Sequence, residues 1–166
     1  MNICSNDLES LNFLKEINYF KETSISGYIS LNNKFEDIKK PLTLFTNVII
    51  NSVKLFTGNK LVSNEGQYLN THRLLIDYSI KENLKYISYH PLNNIFFYSS
   101  PTISKYCYIS LPSYINNIDI EDIINKKLYN ISPYIENVEF CYIDKRTFYY
   151  NVTILINFLP LIKNIL

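Results

Sequence analysis

Few side chains of this 166-residue chain have the chemistry of a catalyst: two histidines, His72 and His90, three cysteines, Cys4, Cys107 and Cys141, and an ordinary complement of carboxylates. A metal or phosphate site needs its ligands at short, fixed spacings. Neither an HExxH pair, a paired-cysteine zinc pattern nor a phosphate-cradling glycine loop occurs. His90 precedes Pro91 and reads as a turn residue. Glu65 and Glu136 could supply the two carboxylates of a glycoside hydrolase, but nothing in the sequence places a sugar or a water between them. The expectation is a protein that is not an enzyme, with no catalytic, cofactor-binding or metal residues. Asn151-Val152-Thr153 fits the glycosylation sequon but falls inside a strand-forming run, where it reads as coincidence.

The cysteines leave two readings open, because three of them cannot all pair within one chain. Cys107 and Cys141 each sit among strand residues, where a thiol serves as a small buried hydrophobe. Alternatively all three are intersubunit disulfide candidates. Thiols kept reduced during synthesis would oxidise after release, joining Cys4 of one chain to Cys107 or Cys141 of the next in an open filament or lattice.

The elements that must carry these residues are mostly strands. Tyrosine and phenylalanine are abundant, with 15 Tyr and 10 Phe against no Trp, and such rings favour pleated surfaces and contact faces. A hydrophobic share of 47% suffices for one core, and a net charge of +1 from 16 basic and 15 acidic residues gives no footprint for nucleic acid. No run of eighteen apolar residues marks a membrane insertion, and Met1 to Asp7 lacks the basic start and apolar stretch of a signal peptide.

Leu8, Leu11, Leu14 and Ile17 recur with a helical period, so residues 1–22 read as an N-terminal arm or short helix and residues 23–166 as one domain. Strand signals follow at Ser26 to Leu31, Leu44 to Phe56, Arg73 to Tyr78, Leu84 to Tyr89, Asn94 to Ser99 and Tyr106 to Leu111. Two more come after Pro133, at Val138 to Ile143 and Phe148 to Phe158, joined by a hairpin turn at Asp144-Lys145-Arg146. A short helix is expected over 119–128, apolar at Ile120, Ile123, Ile124 and Leu128 and with acids ahead of lysines. The class is all-β with minor α: an antiparallel β-sandwich. Sandwiches of this kind can present rings to sugars, and Tyr86, Tyr89 and Tyr98 are the candidates for such a face.

Two ordered blocks carry a resemblance. The first is Ser63-Asn64-Glu65-Gly66-Gln67 with Tyr68-Leu69 and Leu74-Leu75-Ile76; Glu65 and Gln67 there suit a loop whose backbone donors need acceptors. The second runs from Ile131 through Pro133, Tyr134, Ile135, Glu136 and Val138, past Arg146 and Phe148, to Leu155. Together, from about Val48 to Phe158, they resemble the SPOCS domain, a spore-coat-associated domain of endospore-forming bacteria. Members usually carry a glycine in the turn after the Glu-Gly-Gln block; here Asn70 is the residue best able to take a left-handed backbone.

The resemblance implies a structural protein of the spore coat, outer layer or a surface appendage, made in the mother-cell cytoplasm and deposited on the spore surface. Its expected partners are copies of itself and other spore-coat proteins. The alternatives are a non-polymerising adaptor docked to a coat morphogenetic protein, and a carbohydrate-binding module.

Overall fold

Alternation of apolar and polar residues decides the architecture. In the computed structural model, which describes residues 19–58, 61–62, 68–69, 72–89 and 94–162, the chain begins with β1 (Tyr19–Ser30) and β2 (Ile38–Thr57). Two short strands, β3 (Leu61–Val62) and β4 (Tyr68–Leu69), pair with each other and lead into the long β5 (His72–Ser88). Then come β6 (Ile95–Ser99), β7 (Ile103–Leu111), the small hairpin of β8 (Tyr114–Ile115) and β9 (Ile118–Asp119), and one helix, α1 (Ile120–Asn125). The chain closes with β10 (Tyr129–Asp144) and β11 (Thr147–Pro160).

These strands make an antiparallel β-sandwich. The first sheet has the order β1-β11-β10. The second is centred on β5, with β2 on one side and the other side shared by β7, opposite residues 72–80, and β6, opposite residues 83–87. Where the sheets face each other, β1 runs beside β7 and β10 beside β2. The core is a single cluster drawn from both sheets, with Leu74, Ile76, Tyr78, Leu84 and Tyr86 from β5 meeting Phe148, Val152, Ile154, Ile156 and Phe158 from β11. β5 buries every second residue and so does β11 as far as Ile154, the period of a pleated strand with one face in the core, while from Ile154 to Phe158 β11 is buried on both faces.

Several boundaries differ from the sequence reading. The segments expected at Arg73 to Tyr78 and Leu84 to Tyr89 merge into one strand that ends at Ser88, because the inward phase runs unbroken through Ile80 and Glu82. Pro133 lies inside β10, inward and opposite Ile156, instead of before a strand. As an edge strand β10 has one unpaired side, where a missing amide costs no ladder bond. The expected helix shortens to six residues. The side chain of Asp119 accepts from the amide of Glu121 at 2.8 Å and starts it, and Lys127, at φ 53°, ends it in the left-handed region. Ile118 and Asp119 belong instead to a hairpin whose two loop residues, Asn116 and Asn117, both have positive φ. The first strand starts at Tyr19, so residues 19–22 belong to the sheet and not to the arm. The remainder of the arm lies outside the described residues.

The Asp144-Lys145-Arg146 hairpin forms as read, with the Asp144 carboxylate accepting from the amide of Arg146 at 2.7 Å. One close approach inside the first sheet needs a glycine. A Cβ on Gly27 would sit 2.8 Å from the hydroxyl oxygen of Tyr150, whose ring is buried and not free to swing away. Gly27→Ala is therefore expected to cost ~1 kcal/mol through overpacking. Chemical denaturation of that variant would show it, and an unchanged midpoint would mean the ring relaxes.

Candidate interaction surface

The structure separates the two cysteines it describes. Cys107 points inward from β7 and burial pushes its thiol up to about 11, with Lys21 nearby pulling the other way. Cys141 points outward from β10 opposite Tyr149 and is exposed. They sit on different sheets and both are free. Cys4, and the loop residues Ser63, Asn64, Glu65, Gly66 and Gln67, lie outside the described residues. A thiolate is the reactive species, so Cys141 should be alkylated in the native chain more than ~10-fold faster than Cys107. Peptide mass spectrometry after a brief iodoacetamide pulse would read this, and equal labelling would contradict the burial of Cys107.

The second motif block builds structure. Pro133 and Ile135 face inward from β10, and Tyr134 faces outward opposite Leu155. Glu136 is the extra residue of a bulge, after which Val138 opposes the buried Val152. Phe148 is buried against the rings of Phe140 and Tyr142. Arg146 reaches from the hairpin across the chain that links β1 to β2. One guanidinium nitrogen donates to the Asp37 carboxylate at 2.5 Å, and the other donates to the carbonyls of Asn32 at 2.6 Å and Phe35 at 3.1 Å. The backbone of Leu31 donates to the Arg146 carbonyl at 2.8 Å, so the linker and the hairpin are fastened from both sides.

Sequence reasoning passed over Glu82. It points into the core from β5 and is 1% exposed. Thr46 donates to its Oε2 at 2.6 Å, while Oε1 has no partner. Burial pushes this carboxyl above the ordinary carboxylate range, and the Thr46 hydrogen bond pulls partly back. Tyr150 faces it from β11, its phenol pushed up first by burial and then by the charge of Glu82. His72, by contrast, is a half-buried strand-end residue whose Nδ1 lies 3.4 Å from the Ser113 hydroxyl, longer than the contact of an activated serine. His90 and Glu65 lie outside the described residues, which leaves the Glu65 and Glu136 pair without a geometry. Among the described residues no three His, Cys, Asp or Glu side chains gather as a metal site, and no helix is long and apolar enough to cross a membrane.

The largest feature is the outer face of the second sheet. Strand pairing puts Phe45, Ile49 and Phe56 of β2, Ile95 and Phe97 of β6, and Tyr106 and Tyr108 of β7 on that side, all exposed, with Tyr106 at 66% and Phe97 at 63%. Cations lie over three of the rings: Lys54 over Phe56 at 5.2 Å, Arg73 over Tyr108 at 5.2 Å and Lys85 over Phe97 at 5.6 Å. Between them Asn51 donates to Asp77 at 3.2 Å and to Ser79 at 2.7 Å. This is not the tyrosine face expected for sugars. Tyr86 and Tyr98 are buried in the core, because they share the inward phase of their strands, and of that trio Tyr89 alone is exposed. The signal that would have found the real face is the residue set in the opposite phase, such as Lys54 with Phe56.

No family model, no curated protein and no solved structure matches this chain.

Proposed function

We propose that this chain is a structural protein of the bacterial spore coat, outer layer or surface appendage, and that it works by associating with protein neighbours, its own copies first. The observation that carries the reading is the outer face of the second sheet. Exposed Phe, Tyr and Ile on the flanking strands, with Arg and Lys interleaved along the central one, have the composition of an interface, since such rings gain most when a partner removes them from water. The likeness of the two sequence blocks to the SPOCS pattern supports the location, with synthesis in the mother cell and deposition on the spore. Cys141, exposed on the opposite sheet, is the described thiol available for an intersubunit disulfide; the buried Cys107 is not. An adaptor would use the same face on a single coat partner.

Sedimentation and negative-stain electron microscopy of the purified chain test the reading over a range of concentration, with and without reductant. Ordered assemblies are the expected result. Dispersed monomers at every concentration would reject self-assembly and leave the adaptor.

A further inference from the structure

The two outer faces of the sandwich are opposite in charge. On the second sheet, Lys40, Lys54, Arg73, Lys81 and Lys85 point outward with the aromatic side chains, and the one carboxylate among them, Asp77, is held by Asn51. On the first sheet the outward residues are of another kind: Ser24, Ser26 and Tyr28 on β1, Asn151 and Thr153 on β11, and Asn137 on β10. They include Glu22 and Glu139, and none of the outward positions is Lys or Arg. Among the described residues neither Glu22 nor Glu139 has an ion-pair partner. Tyr28 and Tyr149 form an edge-on ring pair on the same side, with centroids 5.5 Å apart. Leu155 and Asn157 also point outward but are buried, so the open part of this face runs from Glu22 to the Tyr28 row.

We infer that the basic, aromatic outer face of the second sheet docks onto the acidic outer face of the first sheet of another copy of this chain. The inference rests on the self-assembly proposed above and names its contact. A second copy is favoured over another anionic partner because the complementary surface is present on the molecule itself, built on a sheet of the same antiparallel kind. Two flat sheets stack face to face with strands roughly aligned, as they do inside a sandwich. Lysines and Arg73 bring charge to carboxylates, which sets orientation and disfavours like faces meeting. The two faces lie on opposite sides of one subunit, so the contact is heterologous and leaves both ends of the stack free to grow.

Two charge-reversed full-length chains test this. One carries Glu22→Lys and Glu139→Lys, making both outer faces basic; the other carries Lys81→Glu and Lys85→Glu, moving the second face toward acid. All four positions are exposed or half-buried. Each variant alone is expected to need a concentration more than ~10-fold above wild type to sediment as assemblies, because in the first variant two basic faces meet and in the second the acidic face meets one whose net charge has been cancelled. Mixing them in equal amounts should restore assembly, since the basic second face of one chain then meets the acidic first face of the other, and at the alternate contact the introduced lysines meet the introduced glutamates.

A wild-type chain that never assembles rejects the self-assembly reading. A wild-type chain that assembles while either variant does the same rejects only this contact, as does a mixture that stays dispersed although both variants melt like wild type. If a variant melts lower, Glu139→Gln and Lys81→Gln replace the reversals, with weakened assembly expected from each and unchanged assembly rejecting the contact. Dispersed wild-type chain retained on a heparin column, with retention lost on Lys81→Glu and Lys85→Glu, would assign the basic face to an anionic polymer and overturn the inference.

Discussion

Replacing Arg146 with alanine is expected to lower the unfolding free energy by about 3 kcal/mol, a drop in Tm of about 6–12 °C for a chain of this size. The side chain binds the segment between β1 and β2 at the Asp37 carboxylate and at the carbonyls of Asn32 and Phe35, with the Leu31 carbonyl farther off at 3.5 Å. Removing it leaves those carbonyls to be solvated afresh and the Asp37 charge unpaired. Partial exposure of the pair, 33% on the Arg146 side chain and 39% on that of Asp37, keeps the ion pair itself weak. Most of the loss therefore comes from the carbonyl contacts, which a planar fork satisfies and an ammonium cannot, so Arg146→Lys should recover less than half of it. Urea denaturation of both variants decides this; a lysine chain as stable as wild type would mean that charge alone holds the linker.

That latch shows how far a sequence can be read. Arg146 stood out in the second motif block, and the turn around it was legible because Asp144-Lys145-Arg146 separates two strand-like runs. Its partners were not legible, since Asn32, Phe35 and Asp37 lie more than a hundred residues earlier and only the fold brings them near. The sandwich class followed from period-2 alternation, and the inward positions Leu74, Ile76, Tyr78 and Ile80 are buried as that period requires. Strand length did not follow. Lys81 and Glu82 look like a polar break between two short strands, yet pairing with β2 on one side and with β6 and β7 on the other carries the backbone straight through.

The helix was too long on paper for a related reason. Apolar spacing favours it from Ile118 to Leu128, but Ile118 pairs with Ile115 and the left-handed Lys127 returns the chain to β10. The outer aromatic face was hidden because tyrosines were sought by abundance and not by phase. Tyr86 and Tyr98 share the phase of the core, while Tyr106 and Tyr108 have the opposite one.

The misread break at Glu82 leads to the second large effect, a dependence of stability on pH. In the unfolded chain this carboxyl titrates near its ordinary value of 4.5; folding raises it by burial. Below 4.5 the group is protonated in both states and carries no penalty. As pH rises above that value the unfolded chain releases its proton first, so the folded chain holds more protons and the unfolding free energy falls. The slope approaches about 1.4 kcal/mol per pH unit until the folded value is passed, after which the loss is constant.

Glu82→Gln removes the proton and should flatten this slope. Asp144 pulls the opposite way: the backbone amide of Arg146 holds its carboxyl below the ordinary value of 3.8, giving stability that is lost as pH falls. Both chains retain Asp144, so the difference between their curves isolates Glu82. Urea midpoints measured from about pH 4 to about pH 8 should diverge, with wild type losing stability relative to the variant as pH rises. Parallel curves would mean that water or a partner group reaches Oε1 and that the carboxyl ionises in place. Divergence would make Glu82 a neutral acid in the folded core, held by Thr46 of the neighbouring strand in the same sheet and facing the apolar cluster between the sheets.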